Sequence, residues 1–303
     1  MAFPAGVRDA VVVGVDGSET GRYALRWAIE EARLRNAELT VVHAWATPTP
    51  AVLVGSVVLD GDPTVYEEGA ASILDDDVTR VLETTRAPEK GLERRVVQGY
   101  APAVLMTQSS DAGLLVVGSR GQGGFAGLLT GSVSEHCITH PTTPVAVVRE
   151  DAALPGSSDV VVGVDGSSGS HAALQFAMRE AAVRGARLVV VHGWWVGFPG
   201  SPRDASPYLE VDRKAIKGRA VAMIQGMLDV ARAAAPQTDV EVEVLAMDMA
   251  PTTALLKCAT EAGLLVVGSR GRGGLAGMLL GSVSRQCVHH AGCAVVVVPS
   301  ASG

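Results

Sequence analysis

The stretch LLVVGSRGQGG, residues 114–124, is an apolar run that passes directly into a loop of closely spaced glycines. Four consecutive aliphatic residues without polar alternation are typical of a strand buried on both faces of a parallel sheet. The run returns as LLVVGSRGRGG at residues 264–274, and the longer segments 112–137 and 262–287 differ at six of 26 positions. One α/β arrangement is therefore encoded twice.

A second repeated segment gives the size of the duplicated unit. The sequence VVVGVDGS occurs at residues 11–18 and again, without a change, at 160–167. This offset of 149 residues is far longer than the roughly 20 to 50 residues of a solenoid repeat, so a whole domain is duplicated. Residues 151–159 contain Pro, Gly and Ser and indicate a linker. We predict one domain at residues 1–150 and a second at 151–303.

Strand and helix patterns alternate within the first repeat. Strands are predicted at residues 10–15, 38–45, 92–97, 114–118 and 145–148, and helices at about 19–35 and 66–86, from Pro102 and from Ser132. This alternation implies right-handed crossovers and a parallel sheet covered by helices on both faces. The predicted fold class is α/β, with two tandem doubly wound five-stranded parallel-sheet domains.

The composition argues against several classes of protein. The net charge is −7 without a long basic run, which is unsuited to a nucleic-acid partner. The apolar stretch at residues 51–59 is shorter than the ~20 residues that span a membrane, and the N-terminus lacks the pattern of a secretory signal. Four cysteines are too few for a disulfide scaffold. We expect a cytoplasmic protein with free thiols, without nucleic-acid or membrane partners.

The glycine-rich loop suggests an anion site. Glycines at 118, 121, 123, 124 and 127 allow positive φ angles and close approach of the backbone, so that successive amides can surround a phosphate. The following Gly131-Ser132-Val133-Ser134 opens a helix, whose free N–H groups add donors.

Two alternatives to the anion site stay open. The glycines also suit a tight turn, and Ser132 with Glu135 fits a helix capping box. Both copies keep every glycine while positions 122, 125, 128 and 130 vary, which favours phosphate binding. Neither a Walker loop nor a Rossmann fingerprint is present. The available cations are Arg120, Arg270 and Arg272, which equally suit a solvated surface.

The segment Gly14-Val15-Asp16-Gly17-Ser18 follows the first strand, where ligands of open α/β sheets bind. Asp16 is a candidate to accept from ribose hydroxyls or to approach a phosphate-bound metal. The alternative is that Asp16 caps the helix that begins near Ser18.

No catalytic or metal-binding arrangement is predicted. His43 and His192 end the second strand of each repeat, and no Ser or Cys is placed by a motif to use them as a base, so we interpret them as hydrogen-bonding or packing residues. Cys287, His289, His290 and Cys293 do not follow a standard zinc spacing. The chain is therefore expected not to be an enzyme and to provide no metal ligand set.

The spacing Gly118-x2-Gly121-x9-Gly131-Ser132, repeated at Gly268, resembles the ATP-binding signature of the universal stress protein family. The VVVGVDGS openings and the VVHAW and VVHGW segments are similar to those of its tandem-domain members, and the resemblance covers nearly the whole chain. It implies a Rossmann-like fold of the adenine nucleotide alpha hydrolase type. It also implies that Gly14, Val15 and Asp16 lie against adenine and ribose, that the Ala44 backbone contacts adenine, and that the glycine loop holds the phosphates.

The predicted nucleotide-binding residues are carried over position by position. In the first repeat they are Gly14, Val15, Asp16, Ala44, Gly118, Ser119, Arg120, Gly121, Gln122, Gly123, Gly131, Ser132, Val133 and Ser134. In the second they are Gly163, Val164, Asp165, Gly193, Gly268, Ser269, Arg270, Gly271, Arg272, Gly273, Gly281, Ser282, Val283 and Ser284.

Three hypotheses about function follow. The first is an ATP-binding stress-response regulator, with Mg²⁺ accompanying the nucleotide, in which occupancy controls conformation or association. The second is a slow ATPase or nucleotide-dependent enzyme on the same fold, and the third is a structural protein with empty sites. The sequence has no Walker lysine and no motif that places a general base, which favours the first hypothesis. The resemblance also implies a homodimer that associates through the terminal strands 145–148 and 295–298.

Overall fold

A computed structural model describes residues 9–47, 62–85, 91–121, 130–150, 152–156, 158–195, 212–235, 239–272 and 279–300. The chain divides into two compact units, Met1–Glu150 and Asp151–Gly303. Each unit has its own strands and helices. None of the helices in these ranges is both long and apolar enough to cross a membrane.

The first unit alternates strands and helices. Its elements are β1 (Val11–Gly14), α1 (Glu19–Arg35), β2 (Leu39–Trp45), α2 (Pro63–Thr85), β3 (Leu92–Gln98), α3 (Ala101–Gln108), β4 (Leu114–Gly118), α4 (Ser132–Thr139) and β5 (Val145–Val148). The strands lie in the order β3-β2-β1-β4-β5, and every described pair is parallel. The winding therefore reverses between β1 and β4.

The second unit repeats this arrangement. Its elements are β6 (Val160–Gly163), α5 (Ser168–Arg184), β7 (Leu188–Trp194), α6 (Arg213–Ala234), β8 (Val242–Asp248), α7 (Pro251–Cys258), β9 (Leu264–Gly268), α8 (Ser282–His290) and β10 (Ala294–Val298). The order is β8-β7-β6-β9-β10, again parallel at every pair within the unit.

Helices cover both faces of each sheet. In the first unit α1 and α2 pack against each other, as do α3 and α4, and both pairs contact the strands. The strands are apolar along their length because both faces are covered: Val11, Val13 and Leu114 are fully buried. Burying an aliphatic side chain of this size contributes roughly 1.5–3 kcal/mol. The predicted α/β fold with parallel, doubly wound sheets is confirmed.

Local signals explain where the first long helices begin and end. Ser18 and Ser167 are the N-caps of α1 and α5, and each hydroxyl accepts a hydrogen bond from the backbone amide three residues later, at 3.0 and 3.2 Å. The C-caps Asn36 and Gly185 adopt left-handed conformations with φ of 52° and 59°. The N-caps therefore start α1 and α5 directly after the short loops that follow β1 and β6.

The helix α2 begins earlier than the prediction near residue 66. Asp62 precedes it and accepts from the Thr64 amide at 3.0 Å, and Pro63 occupies the first turn, where its missing N–H costs nothing. The segments 47–62 and 196–207 lie largely outside the described residues.

Candidate functional site

Each unit has a cavity at the carboxyl ends of its central strands. The first, of about 420 Å³, lies where β1 and β4 separate, and the second, of about 330 Å³, lies in the same place between β6 and β9. Both volumes fall within the ~300–1,000 Å³ of small-molecule sites. The location is the topological switch point at which open α/β sheets bind ligands.

Most of the predicted site residues line these cavities. In the first unit they are Gly14, Val15, Asp16, Ala44, Gly118, Arg120, Gly121, Gly131, Ser132, Val133 and Ser134. In the second they are Gly163, Val164, Asp165, Gly193, Gly268, Arg270, Gly271, Gly281, Ser282, Val283 and Ser284. Gln122, Gly123 and Gly273 lie outside the described residues.

Ser119, Ser269 and Arg272 do not line the cavities in the described part of the chain. The backbone of Ser119 instead joins three elements: its amide donates to Val148 in β5 at 2.8 Å, and its carbonyl accepts from the Gly131 amide at 2.7 Å. The Ser134 hydroxyl donates to the same carbonyl at 3.2 Å. These serines hold the loop in place against the sheet and α4.

The glycines at the start of the loop are needed because neighbouring atoms lie too close for a side chain, and not because their φ angles are positive. A methyl group on Gly121 would lie 2.4 Å from Asp16 Oδ2, and one on Gly118 would lie 3.0 Å from the Thr20 carbonyl oxygen. Gly271 has the same 2.4 Å relation to Asp165. The described glycines of the loop adopt no positive φ, so that part of the expectation is wrong for them. In the loops after β1 and β6, positive φ occurs instead at Gly17 and Gly166, with values of 81° and 79°.

The helix after the loop begins with a glycine cap. Gly131 and Gly281 are the N-caps of α4 and α8, and neither end has a side-chain cap. Ser132 is therefore the first helical residue and not a cap, so the capping-box alternative is wrong; Glu135 accepts instead from the Thr130 hydroxyl at 3.3 Å. A cap without a side-chain oxygen leaves the first amides of the helix available to an external anion.

The two aspartates connect the loop after the first strand to the glycine loop. Asp165 Oδ1 accepts from the Ser167 amide at 3.0 Å and Oδ2 from the Arg272 amide at 2.8 Å. Burial raises the pKa of Asp165, but the hydrogen bonds from Ser167, Arg272 and Ser170 outweigh it and lower the pKa below its usual value. Asp16 Oδ1 accepts from the Ser18 amide at 3.1 Å. The helix cap is Ser18, so capping by Asp16 is wrong.

The peptide of Gly17 is held by a buried carboxylate that sequence reasoning missed. Its amide donates to Asp77 Oδ2 at 2.9 Å, and its carbonyl accepts from Arg22 Nη1 at 2.9 Å. Arg22 Nη1 also donates to Asp77 Oδ1 at 3.1 Å. No local pattern reveals this contact, because 60 residues separate Asp77 from Gly17.

Apolar residues that complete the cavities were also missed. They are Val42, Ala101, Leu105 and Val117 in the first unit, and Val191, Pro251, Leu255, Val267 and Leu280 in the second. Val42 could have been found from its position two residues before Ala44 on the same strand, which puts both side chains on one face. Leu105 is on a helix whose rotation the sequence does not specify. Its Cδ1 lies 2.7 Å from where a methyl group on Gly14 would be.

His43 and His192, predicted to end the second strand of each repeat, lie two residues before the last residues of β2 and β7 and do not line the cavities in the described part of the chain. His192 Nδ1 donates to the Val164 carbonyl at 2.7 Å and so joins β7 to the loop after β6. Burial lowers the pKa of His43, opposed by the Val15 carbonyl and the carboxylates of Asp16 and Asp77. His43 is thus held neutral at physiological pH.

The four cysteines are free thiols. Burial raises the pKa of Cys137 and of Cys287 to about 12 and that of Cys293 to about 11. Within the described residues no group of three or more His, Cys, Asp or Glu side chains is arranged to hold a metal ion.

Comparisons with known proteins agree with this architecture. The sequence model of the universal stress protein family matches residues 8–149 and 157–299. A universal stress protein of Mycobacterium tuberculosis is 35% identical over 292 residues, covering 95% of each chain. One from Mycobacterium bovis is 34% identical over 303 residues, covering 95% of this chain and 96% of its own.

A solved structure shows the same fold over both units. The crystal structure of a universal stress protein from Archaeoglobus fulgidus has a TM-score of 0.68 at 20% identity, covering 96% of this chain and 98% of its own. Fold and cavity thus define a duplicated α/β protein with its pockets at the switch points. The chain belongs to the universal stress protein family.

Proposed function

We propose that the protein is an ATP-binding regulator with one nucleotide site in each unit, and that nucleotide occupancy controls its conformation or association. The single observation that carries this proposal is the convergence, in both cavities, of three features: a carboxylate after the first strand, a glycine loop and an uncapped helix N-terminus.

The polar side of each cavity suits the phosphates. The first amides of α4 and the loop at Gly118–Gly121 face the same space, and the positive end of the helix dipole favours an anion there. Arg120 adds a cation to this side. Replacing Gly118 or Gly121 by any other residue would push a side chain against backbone or against Asp16, so the glycines keep the loop close to the carboxylate.

The apolar side suits an aromatic base. Val15, Val42 and Leu105 form part of the wall, and Ala44, whose backbone would contact the base, also lines the cavity. Aliphatic walls with a few polar groups at their edge are the common composition of small-molecule sites. Asp16 lies between the two sides, where a ribose would join base to phosphate.

Mg²⁺ would enter as the partner of the triphosphate. Among the described residues that line each cavity there is one carboxylate, Asp16 in the first and Asp165 in the second. Mg²⁺ is commonly bound through one or two carboxylates together with substrate phosphates and water. The chemistry it would supply is neutralisation of phosphate charge. Asp165 already accepts two backbone amides, so its main role is to position the loop.

Binding without catalysis is proposed because no described side chain is placed as a general base beside the phosphate end. The nearby histidine is used within the fold: His192 binds the Val164 carbonyl. A slow ATPase is the rival function. Association of two chains through β5 or β10 stays a prediction from the family resemblance, and a cytoplasmic location stays a prediction from the N-terminal sequence and the cysteine content.

Acid extraction of the purified protein followed by nucleotide chromatography tests the proposal. We expect ATP to be released at up to two equivalents per chain. Turnover measured on the same sample separates the rival functions: release of phosphate beyond the bound stoichiometry would favour an enzyme. If no adenine nucleotide is extracted and calorimetry detects no ATP binding, the proposed function is wrong.

A further inference from the structure

The two sites differ in the charges that surround the left-handed glycine after the first strand. In the first unit Gly17 is held by Asp77 and Arg22, an ion pair within the site's border. The buried positions of α2 and α6 correspond at an offset of 150 residues, as in Ala70 and Ala220. Asp77 therefore corresponds to Met227, which has no charge.

A cation from the glycine loop occupies the corresponding place in the second unit. A methyl group on Gly166 would lie 2.7 Å from Arg272 Nη2 and 2.9 Å from Met223 Sδ, so the guanidinium lies over this glycine beside the thioether. The backbone amide of Arg272 is fixed by Asp165 at 2.8 Å. In the first repeat the same position in the sequence is Gln122, which has no charge.

The helices α2 and α6 and the two repeats as a whole differ in charge in the same sense as the two sites. The helix α2 contains six acidic residues and one basic residue, whereas α6 contains five basic residues and one acidic residue. Over whole repeats, residues 1–150 have 12 Lys and Arg against 19 Asp and Glu, and residues 151–303 have 13 of each. The whole net charge of −7 therefore belongs to the first repeat.

We propose that the two sites select different phosphate charge, and that Arg272 is a specificity residue that makes the second site favour the nucleoside triphosphate over the monophosphate more strongly than the first. This inference rests on the proposed function. Each added phosphate brings negative charge to the second cavity, whose lining residues Asp165 and Gly271 adjoin Gly166 and Arg272. Arg272 does not line the cavity and attracts this charge through space, whereas the acidic surface of the first unit repels it. Because Arg272 is exposed, its attraction for phosphate is sensitive to the salt concentration.

Single-site variants measure each site in the full chain. Gly131→Asp blocks the first site and leaves the second, and Gly281→Asp does the reverse. Calorimetry then gives the Kd of ATP and of AMP for each site at low and high salt. We expect the ratio of the AMP Kd to the ATP Kd to be about fivefold larger for the second site, because one additional positive charge near the phosphates has an effect of this size. The ratio should decrease as the salt concentration rises.

Arg272 is tested in the Gly131→Asp background. Arg272→Gln should reduce that ratio about fivefold, and Arg272→Lys should keep most of it. Arg232→Gln removes the same charge from the exposed end of α6 and should leave the ratio unchanged. Equal ratios at the two sites, or an Arg272→Gln variant that behaves as the wild type, would overturn the inference while leaving nucleotide binding intact. Sites that bind no nucleotide in any background would overturn both proposals.

Discussion

At the scale of single residues, the site depends on positions where a side chain is excluded for a spatial reason. Gly121 and Gly271 leave room for a carboxylate oxygen 2.4 Å from where a Cβ would be. Gly131 and Gly281 differ, because a methyl group there would meet its nearest atoms at 3.4 and 3.5 Å, an ordinary contact. These caps therefore accept a side chain, whereas Gly118 does not, since the Thr20 carbonyl oxygen is 3.0 Å away.

This difference identifies the best variants for blocking the sites. We expect Gly131→Asp and Gly281→Asp each to weaken ATP binding in their own unit by roughly 100-fold or more, because a carboxylate at the helix N-terminus takes the amides that the phosphate would use. Calorimetry should give one binding equivalent for either variant and none for the double variant. The fold should survive, since both caps have extended backbone that Asp adopts readily at this position. Two undiminished sites in the double variant would refute the site assignment.

The pKa of His43 gives a prediction about acid stability. Burial lowers this pKa, so the unfolded chain takes up a proton near pH 6.5 before the folded protein does. The unfolded state then binds more protons, so the contribution of His43 to the free energy of unfolding falls as the pH decreases below about 6.5 and is constant well above that pH.

The variant His43→Gln removes this dependence. Denaturant unfolding at a series of pH values from about 8 to 5 should show a smaller loss of stability for the variant than for the wild type, with the two curves parallel above about pH 7. An unchanged slope below that pH would mean that His43 is not held neutral by burial.

At the scale of secondary-structure elements, the N-terminus of α7 restricts the end of β7. A methyl group on Gly193 would lie 2.7 Å from Pro251 Cα and 3.0 Å from the Met249 carbonyl oxygen. The first repeat has Ala44 at this position and Ala101 where the second has Pro251. The narrower second cavity agrees with this closer approach.

Gly193→Ala should therefore destabilise the second unit by about 1–3 kcal/mol, because backbone atoms of α7 must move. Gly226→Ala on α6 is the matched control: nothing lies within 4 Å of its Cβ position, and it should raise stability by about 0.5–1 kcal/mol. Chemical denaturation of both variants compares them directly. Equal stability of the two variants would show that α7 adjusts at no cost.

At the scale of the whole molecule, duplication predicts two ligand-dependent contributions to stability. A ligand that binds only the native state stabilises it by RT ln(1 + [L]/Kd), about 2.7 kcal/mol at a hundredfold excess over Kd. In thermal melts ATP should raise the unfolding transition temperature. The Gly281→Asp variant should keep the part of this increase that comes from ATP binding to the first unit.

Adenosine serves as the control ligand for the same melts. It leaves the glycine loop and the helix N-terminus unoccupied, so its shift should be smaller than that of ATP at equal saturation. An equal shift would mean that the loop is not a phosphate site, and loss of the entire ATP effect on changing one unit would mean that the units do not bind independently.

The sequence determined the fold class, the duplication and most of the cavity lining, because these depend on local or repeated signals. Apolar runs identified β1 and β4, the helical period identified α1, and the repeated glycines identified the loop. Tertiary structure alone decided which atoms the glycines approach, that Gly131 and not Ser132 caps α4, and that Leu105 and Asp77 reach the site. The physical reason is distance along the chain: Asp77 meets Gly17 only after α2 has packed on the sheet, and helix rotation and packing are not encoded in any local pattern.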